Sequence, residues 1–334
     1  MDLVEIDVSD DTALRDWFAV EAAGIAHDRP QAVSRTYQAL VHQVRQPSAY
    51  RRVVLLAARD GGEIVGIADL GLPLQDNTHL GGLEITVHPG HRRRGIATAL
   101  YAEADRHRRA EGRTSLVGEV HVPVDQADTA SPGWSFGRAL GFASVHVEEH
   151  LVLALPLDTE AVGRLGERVA AAGADYEILT WGDRCPDELV GSFCEMKTRM
   201  DDDVPLGEVD HTPVVHTEER LRVQEERTAR SYTQVVSAAR RRSDGVLGGY
   251  SQVFLAHGTD QAWQDDTLVM PAHRGRRLGT ALKLATLDIL HRDHPERRTL
   301  HTWTDPDNQA MYLTNIGFGF APVERMHEMQ RRDG

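Results

Sequence analysis

The residues best suited to chemistry lie in a turn that occurs twice. Residues 87–100 read VHPGHRRRGIATAL and residues 269–282 read VMPAHRGRRLGTAL, with eight of the fourteen positions identical. In each copy a proline-terminated strand gives way to an arginine- and glycine-rich turn and then to apolar residues at helical spacing. The first N–H groups of such a helix have no partners of their own, and with the helix dipole they form a site for an anion. Small residues at Gly95 and Ala97 admit a phosphate close to the backbone, and the neighbouring arginines add charge-assisted donors. Three residues before each copy stands a carboxylate, Glu84 before Val87 and Asp266 before Val269. An acid at the same register in both halves could serve as a general base beside the anion site.

The elements that must position these groups also repeat. YRRVVLLAARDGGEIVGIADLGL (50–72) reads as two strands joined at Asp60-Gly61-Gly62, and SYTQVVSAARRRSDGVLGGYSQVFL (231–255) reads alike, with its turn at Ser243-Asp244-Gly245. Each half opens with a strand and a helix, the second helix with Pro186 among its first residues. Each half closes on a Gly-Phe pair and a strand, at Gly141-Phe142 and Gly319-Phe320. Both halves follow one plan: strand, helices, three strands, helix, strand, helix, strand. The expected fold is α/β (an α+β mixed sheet) in two tandem domains, 1–155 and 176–334. The segment 156–175 is expected to be a linker helix stopped near Gly173. The acidic stretch 200–210 is expected between helices.

Composition limits the partners. The 334 residues carry a net charge of −14, against the basic footprint that nucleic acid requires. The same excess suits a cationic substrate or simple solubility. The sequence offers no apolar run for a membrane span and an acidic N-terminus unlike a signal peptide. Its two cysteines, Cys185 and Cys194, make no disulfide framework, so a cytoplasmic setting is expected. HExxH-type metal spacing, GxGxxG and GxxxxGK[ST] are all missing from the sequence, so no metal and no dinucleotide or Walker site is expected.

What is present is V-x-P-x-x-R-x-x-G-x-A at Val87, Pro89, Arg92, Gly95 and Ala97. This resembles the acetyl-CoA signature of the GNAT (GCN5-related N-acetyltransferase) superfamily, Q/R-x-x-G-x-G/A. The second half carries H-R-G-x-R-L-G-x-A-L-K from His273 to Lys283, similar to a group of bacterial tandem acetyltransferases, and the paired layout is that of mycothiol synthases. The resemblance implies two GNAT-like domains, each a mixed, mostly antiparallel sheet flanked by helices. It implies coenzyme A contacts at Val87, Arg92, Arg93, Arg94, Gly95, Ile96, Ala97 and Thr98. In the second half the matching positions are Val269, Arg274, Gly275, Arg276, Leu278, Gly279 and Thr280, with Asn308 downstream. It further implies Glu84 and Asp266 as the candidate bases. The family's tyrosine acid is missing, since its position holds Gly137 in one half and Asn315 in the other. Asp201, Asp202 and Asp203 fall where such proteins border the acceptor. The expected activity is acetyl-CoA-dependent N-acetylation of a small-molecule amine by a monomer or homodimer. The rival is a non-catalytic acyl-CoA sensor.

Overall fold

The computed structural model describes residues 1–333 apart from 28, 171–173 and 204–206. Gly173 and part of the 200–210 stretch therefore lie outside the described residues. In chain order the first half is β1 (Asp2–Glu5), α1 (Asp11–Ala26), α2 (Tyr37–Arg45), β2 (Arg51–Asp60), β3 (Glu63–Pro73), β4 (Leu80–Val87), α3 (Ile96–Ala110), β5 (Ser115–Pro123), α4 (Pro132–Ala139) and β6 (Ala143–Ala154). Helix α5 (Thr159–Ala170) follows. The second half is β7 (Tyr176–Trp181), α6 (Val190–Asp203), α7 (Glu218–Thr228), β8 (Tyr232–Arg241), β9 (Leu247–Ala256), β10 (Gln261–Val269), α8 (Leu278–Asp293), β11 (Thr299–Thr304), α9 (Gln309–Phe318) and β12 (Ala321–Arg332). This is the element order expected for both halves.

The chain forms two compact units that do not follow chain order. The first is Met1–Glu148 with Leu206–Thr212 and Glu324–Gly334, and the second is Glu149–Pro205 with Pro213–Val323. Where the sequence suggested divisions at 155 and 176, the last strand returns to the first unit and lies antiparallel to β5, Glu324 opposite Pro123 through Arg332 opposite Ser115. The segment 207–212 returns with it: Asn77 and Thr212 exchange two hydrogen bonds of 2.7 and 3.0 Å, and Asp210 N–H donates to Gln330 Oε1 at 3.1 Å. Local periodicity identifies a strand but not the neighbour that completes its ladder.

In the first unit the strands run β1-β2-β3-β4-β5-β12. The turn between β2 and β3 is the Gly61-Gly62 pair, both at positive φ (60° and 92°), as a two-residue hairpin requires. Alternation along β2 and β3 divides the core between two faces. Leu55, Ala57 and Ile67 pack with Leu14 and Trp17 of α1, and Val54, Leu56 and Leu70 pack with Leu100 and Ala104 of α3. Trp17 also donates its indole N–H to Leu56 O at 3.0 Å. Helix α1 starts at Asp10, whose carboxylate accepts from the N–H groups of Thr12 and Ala13.

The second unit repeats the arrangement with β7 to β11 and residues 149–154 of β6, in the order β6-β11-β10-β9-β8-β7. Val236 and Tyr250 pack on Phe193 of α6, and Val253, Leu255 and Ala262 pack with Leu287 and Leu290 of α8. Pro186 lies four residues before α6 rather than inside its first turn, because Leu189 N–H closes a tight turn onto Pro186 O at 2.9 Å. In each unit one strand pair is parallel, β4 with β5 and β10 with β11, and each parallel register covers three residue pairs: Leu80–Gly82 and Gln261–Trp263. Past that point the paired strands part, at Glu84 in one unit and near Asp266 in the other.

Candidate acyl-transfer site

Both repeated turns form the same backbone structure. A single 3-10 turn, Pro89–His91 or Pro271–His273, leads into two residues in the left-handed region and then the helix. In the first copy the left-handed residues are Arg93 (φ 64°) and Gly95 (φ 77°), and in the second they are Gly275 (φ 80°) and Arg277 (φ 54°). Glycine and arginine have exchanged places between two positions of one conformation. The left-handed residue just before the helix has no side-chain capping bond in either copy. The first helical bonds are Ala99 N–H to Gly95 O and Ala281 N–H to Arg277 O, both 3.1 Å. The N–H groups of Ile96, Ala97 and Thr98, and of Leu278, Gly279 and Thr280, therefore lie ahead of the helical ladder, as an anion site needs. A Cβ at Gly95 or Gly275 would meet no atom within 4 Å, so both turns are open on that side.

The side chains predicted there divide by role. Ile96 and Leu278 are buried and Val87 and Val269 pack against the cores, so these four could meet a ligand only through backbone. Arg92 and Arg274 turn back to brace their own strands, donating Nε to Val87 O at 3.4 Å and to Val269 O at 3.0 Å. Arg276 donates to Ala272 O at 3.2 Å. Arg93 and Arg94 are exposed, with Arg94 4.0 Å from Asp60. Gly279 has room for a Cβ at ordinary contact distance, so its small size is not needed for packing.

The two candidate bases differ sharply. Glu84 faces a cavity of about 410 Å³ in the first unit, walled by Glu21, Asp69, Glu119 and Glu328 together with Arg35 and Arg51. Its carboxyl is accessible from the cavity, and its Oε1 accepts Glu119 N–H at 3.2 Å across the parting strands. Surrounding protein in place of bulk water, and then the Glu119 carboxylate, push its pKa up to about 8, with Asp69 and Glu21 adding to the effect. Asp266 instead accepts Lys197 Nζ and the Tyr250 hydroxyl, both at 2.6 Å, on one oxygen. Burial works to raise its pKa, but the Lys197 ammonium outweighs it and holds the carboxyl below the ordinary carboxylate value. Lys197 stands four residues after Phe193 on α6, as Glu21 stands four after Trp17 on α1. The two units thus carry opposite charges at matching helix positions.

Other predicted residues are engaged locally. Asn308 caps α9, accepting Met311 N–H at 3.3 Å. Asp201, Asp202 and Asp203 form the last turn of α6, not a loop. Asp201 accepts the Val214 N–H, Asp203 pairs with Arg199 at 2.6 Å and with Arg274 at 3.1 Å, and Asp202 is exposed. These pairs offset the unfavourable placing of acids at a helix C-terminus. The Tyr101 hydroxyl contacts Arg331, and the Tyr312 hydroxyl donates to Glu149 at 2.9 Å. Gly137 has no side chain to offer a proton, and Asn315 is fully buried, donating to Thr304 Oγ1 at 2.9 Å.

Sequence reasoning missed most of the cavity wall. The available signal was a lone acid within largely apolar strands, Glu119 in SLVGEVHVP and Asp69 in EIVGIADLGLP. Glu328 could not have been joined to them, because its strand comes from the far end of the chain.

Comparison with known proteins agrees with this architecture. Residues 12–131 match the acetyltransferase (GNAT) family. A tandem GNAT protein from the clavulanic acid biosynthesis pathway, solved without AcCoA, is 28% identical, with a TM-score of 0.82 over 100% of this chain and 98% of that one. A GCN5-related N-acetyltransferase from Sphaerobacter thermophilus shares the fold at 14% identity, with a TM-score of 0.66 over 99% and 95% of the two chains. Saccharomyces cerevisiae N-myristoyltransferase with bound myristoyl-CoA and inhibitors shares it at 12% identity, with a TM-score of 0.59 over 99% and 80%. No curated protein is significantly similar in sequence. Among the described residues no helix is long and apolar enough to cross a membrane, and no group of acidic, histidine or cysteine side chains is arranged to hold a metal ion. These likenesses give residues 12–131 the sequence of the GNAT family and the whole chain the fold of a tandem GNAT protein.

Proposed function

We propose that the chain transfers an acetyl group from acetyl-CoA to a small-molecule amine, and that the first unit carries the reaction. The observation that supports this most strongly is Glu84, a carboxylate with a pKa raised to about 8 in an acidic cavity, on the strand that leads into an uncapped helix start. Acetyl-CoA would supply the acyl group and a thiolate leaving group. The N–H groups of Ile96, Ala97 and Thr98 would hold its pyrophosphate, and the open side of Gly95 leaves the phosphate room. Exposed Arg93 and Arg94 would add positive charge at the rim. Glu84 would take the proton lost by the amine nitrogen as that nitrogen becomes an amide, while Glu119 N–H fixes the carboxylate's orientation.

The second unit has an equivalent cradle but no equivalent base, since Asp266 is committed to Lys197 and Tyr250. In this reading Asp266 has a structural role, and the acidic turn Asp201–Asp203 fastens α6 to Arg274 and does not recruit the acceptor. Two buried free thiols, Cys185 and Cys194, suit a reducing cytoplasm. The test is a thiol-release assay with acetyl-CoA over a panel of small amines. Amine-dependent release that Glu84→Gln abolishes supports the reading. Coenzyme binding without release for any amine would favour the sensor.

A further inference from the structure

The carboxylates of the first unit's cavity form a row across four neighbouring strands. Asp69 on β3 lies opposite Glu84 on β4, and Glu119 on β5 lies opposite Glu328 on β12. Glu84 and Glu119 are joined across the parting strands by the Glu119 N–H. Like charges directly opposite each other in a ladder destabilise it, so this row opposes folding unless something compensates it. The nearby guanidinium groups do so only in part. Arg35 is committed to Glu21, at 2.5 and 3.0 Å, and to one oxygen of Asp69 at 3.0 Å. The Arg51 guanidinium lies over Gly71, in the space a side chain there would fill. Among the described residues neither Glu84 nor Glu328 has an ion-pair partner.

Asp69 points independently to a ligand. It is only 8% exposed, it lines the cavity, and its Oδ1 has no hydrogen-bond partner. A buried carboxylate oxygen left bare costs several kcal/mol unless a donor reaches it. Gly82 leaves space beside this row, since a Cβ there would meet only Gly71 O at 3.8 Å. Burial, and then Glu119, also push the Glu328 carboxyl up.

We propose that this cavity binds a small acceptor carrying two positive charges, with its reactive amine at Glu84 and a second ammonium or guanidinium group on the carboxylates of the row. The proposal rests on the amine-acceptor reading above. A single ammonium group at Glu84 would leave Glu119 and Glu328 facing each other, with only the His121 imidazole 3.4 Å from Glu119. A compact metal ion does not fit, because strand-to-strand spacing of about 4.8 Å spreads these acids along a line and no metal-holding group is found among the described residues. Charges separated along a flexible chain do fit.

The test is calorimetric titration of the full chain, without thioester and at low salt, comparing 1,6-diaminohexane with hexylamine. The diamine should bind at least about tenfold more tightly, the scale of one partly desolvated charge pair. Glu328→Gln, and separately the more exposed Glu119→Gln, should shrink that ratio to about threefold or less with the fold intact by circular dichroism. Equal affinities, failure of both amines to bind, or a ratio that neither variant changes would overturn the proposal. Binding is read without turnover, so a chain that never transfers acetyl groups leaves this result intact. Conversely, turnover of hexylamine with no diamine preference removes only the second charge.

Discussion

The same strand-turn-helix serves twice in this chain, and the two units differ in what stands beside it. In the first, Glu84 opens onto a cavity walled by further acids, and its carboxyl is pushed up to about 8. In the second, Lys197 and Tyr250 close on Asp266 and hold it down. The cradles share one backbone, since Gly95 and Arg277 adopt one left-handed conformation, and differ in the arginine side chain that the second carries just before its helix. A duplicated domain can therefore keep one turn backbone while the surroundings of the adjacent carboxylate diverge, with Lys197 and Tyr250 on Asp266 in one copy and an open acidic cavity at Glu84 in the other.

Five substitutions would break or sharpen this contrast. The largest effect is expected for Glu84→Gln, which should lower kcat/KM by about 10²–10⁴-fold, the range for losing a general base. Asp266→Asn should leave turnover within about threefold, well short of that range. It should instead lower stability in urea by about 3 kcal/mol, because the buried Lys197 ammonium loses its 2.6 Å carboxylate and keeps only Gln252 at 3.3 Å and Asp265 at 4.0 Å. Next is Gly95→Arg, which should weaken acetyl-CoA binding by calorimetry about tenfold by placing a long side chain over the helix start that the phosphate needs. The reverse change, Arg277→Gly, should raise stability by up to about 1 kcal/mol as a side chain leaves the left-handed region. Arg274→Ala should matter least, less than about 1 kcal/mol in the same urea assay, because its pair with Asp203 is exposed.

The two carboxylates also predict opposite pH dependences of stability. Glu84 has a folded pKa above its ordinary 4.5, so its contribution favours the folded state at low pH and is lost as pH rises from about 4.5 towards 8. Asp266 has a folded pKa below its ordinary 3.8, so its contribution is present above that value and is lost as pH falls through the lowered one. Urea titrations of the two Asn/Gln variants across pH 3–9 would separate the slopes.

Much of this was legible in the sequence. The repeat fixed the strand-turn-helix units, because the period of apolar residues changes from two to 3.6 at Pro89 and Pro271. It also placed Glu84 and Asp266 at one register. What separates them was not legible, because it depends on long-range packing. Lys197 reaches Asp266 from a helix 69 residues away, and Glu328 joins Glu119 only because β12 returns to the first unit. Lys197 and Lys283, the two lysines of the chain, are both buried in the second unit, a setting their exposed-residue type does not announce. The acidic stretch 200–210 was expected between helices, and nothing in the composition of its triplet at 201–203 marked it as the end of α6. Its arginine partners, Arg199 and Arg274, show the local charge balance that holds it there.

The most direct test of the central claim is the pH profile of kcat/KM for one amine and acetyl-CoA, measured on the wild type, Glu84→Gln and Asp266→Asn. The account predicts a rise through an apparent pKa near 8 in the wild type and in Asp266→Asn, and loss of that limb with most of the rate in Glu84→Gln. A profile that survives in Glu84→Gln and disappears in Asp266→Asn would contradict it and move the chemistry to the second unit.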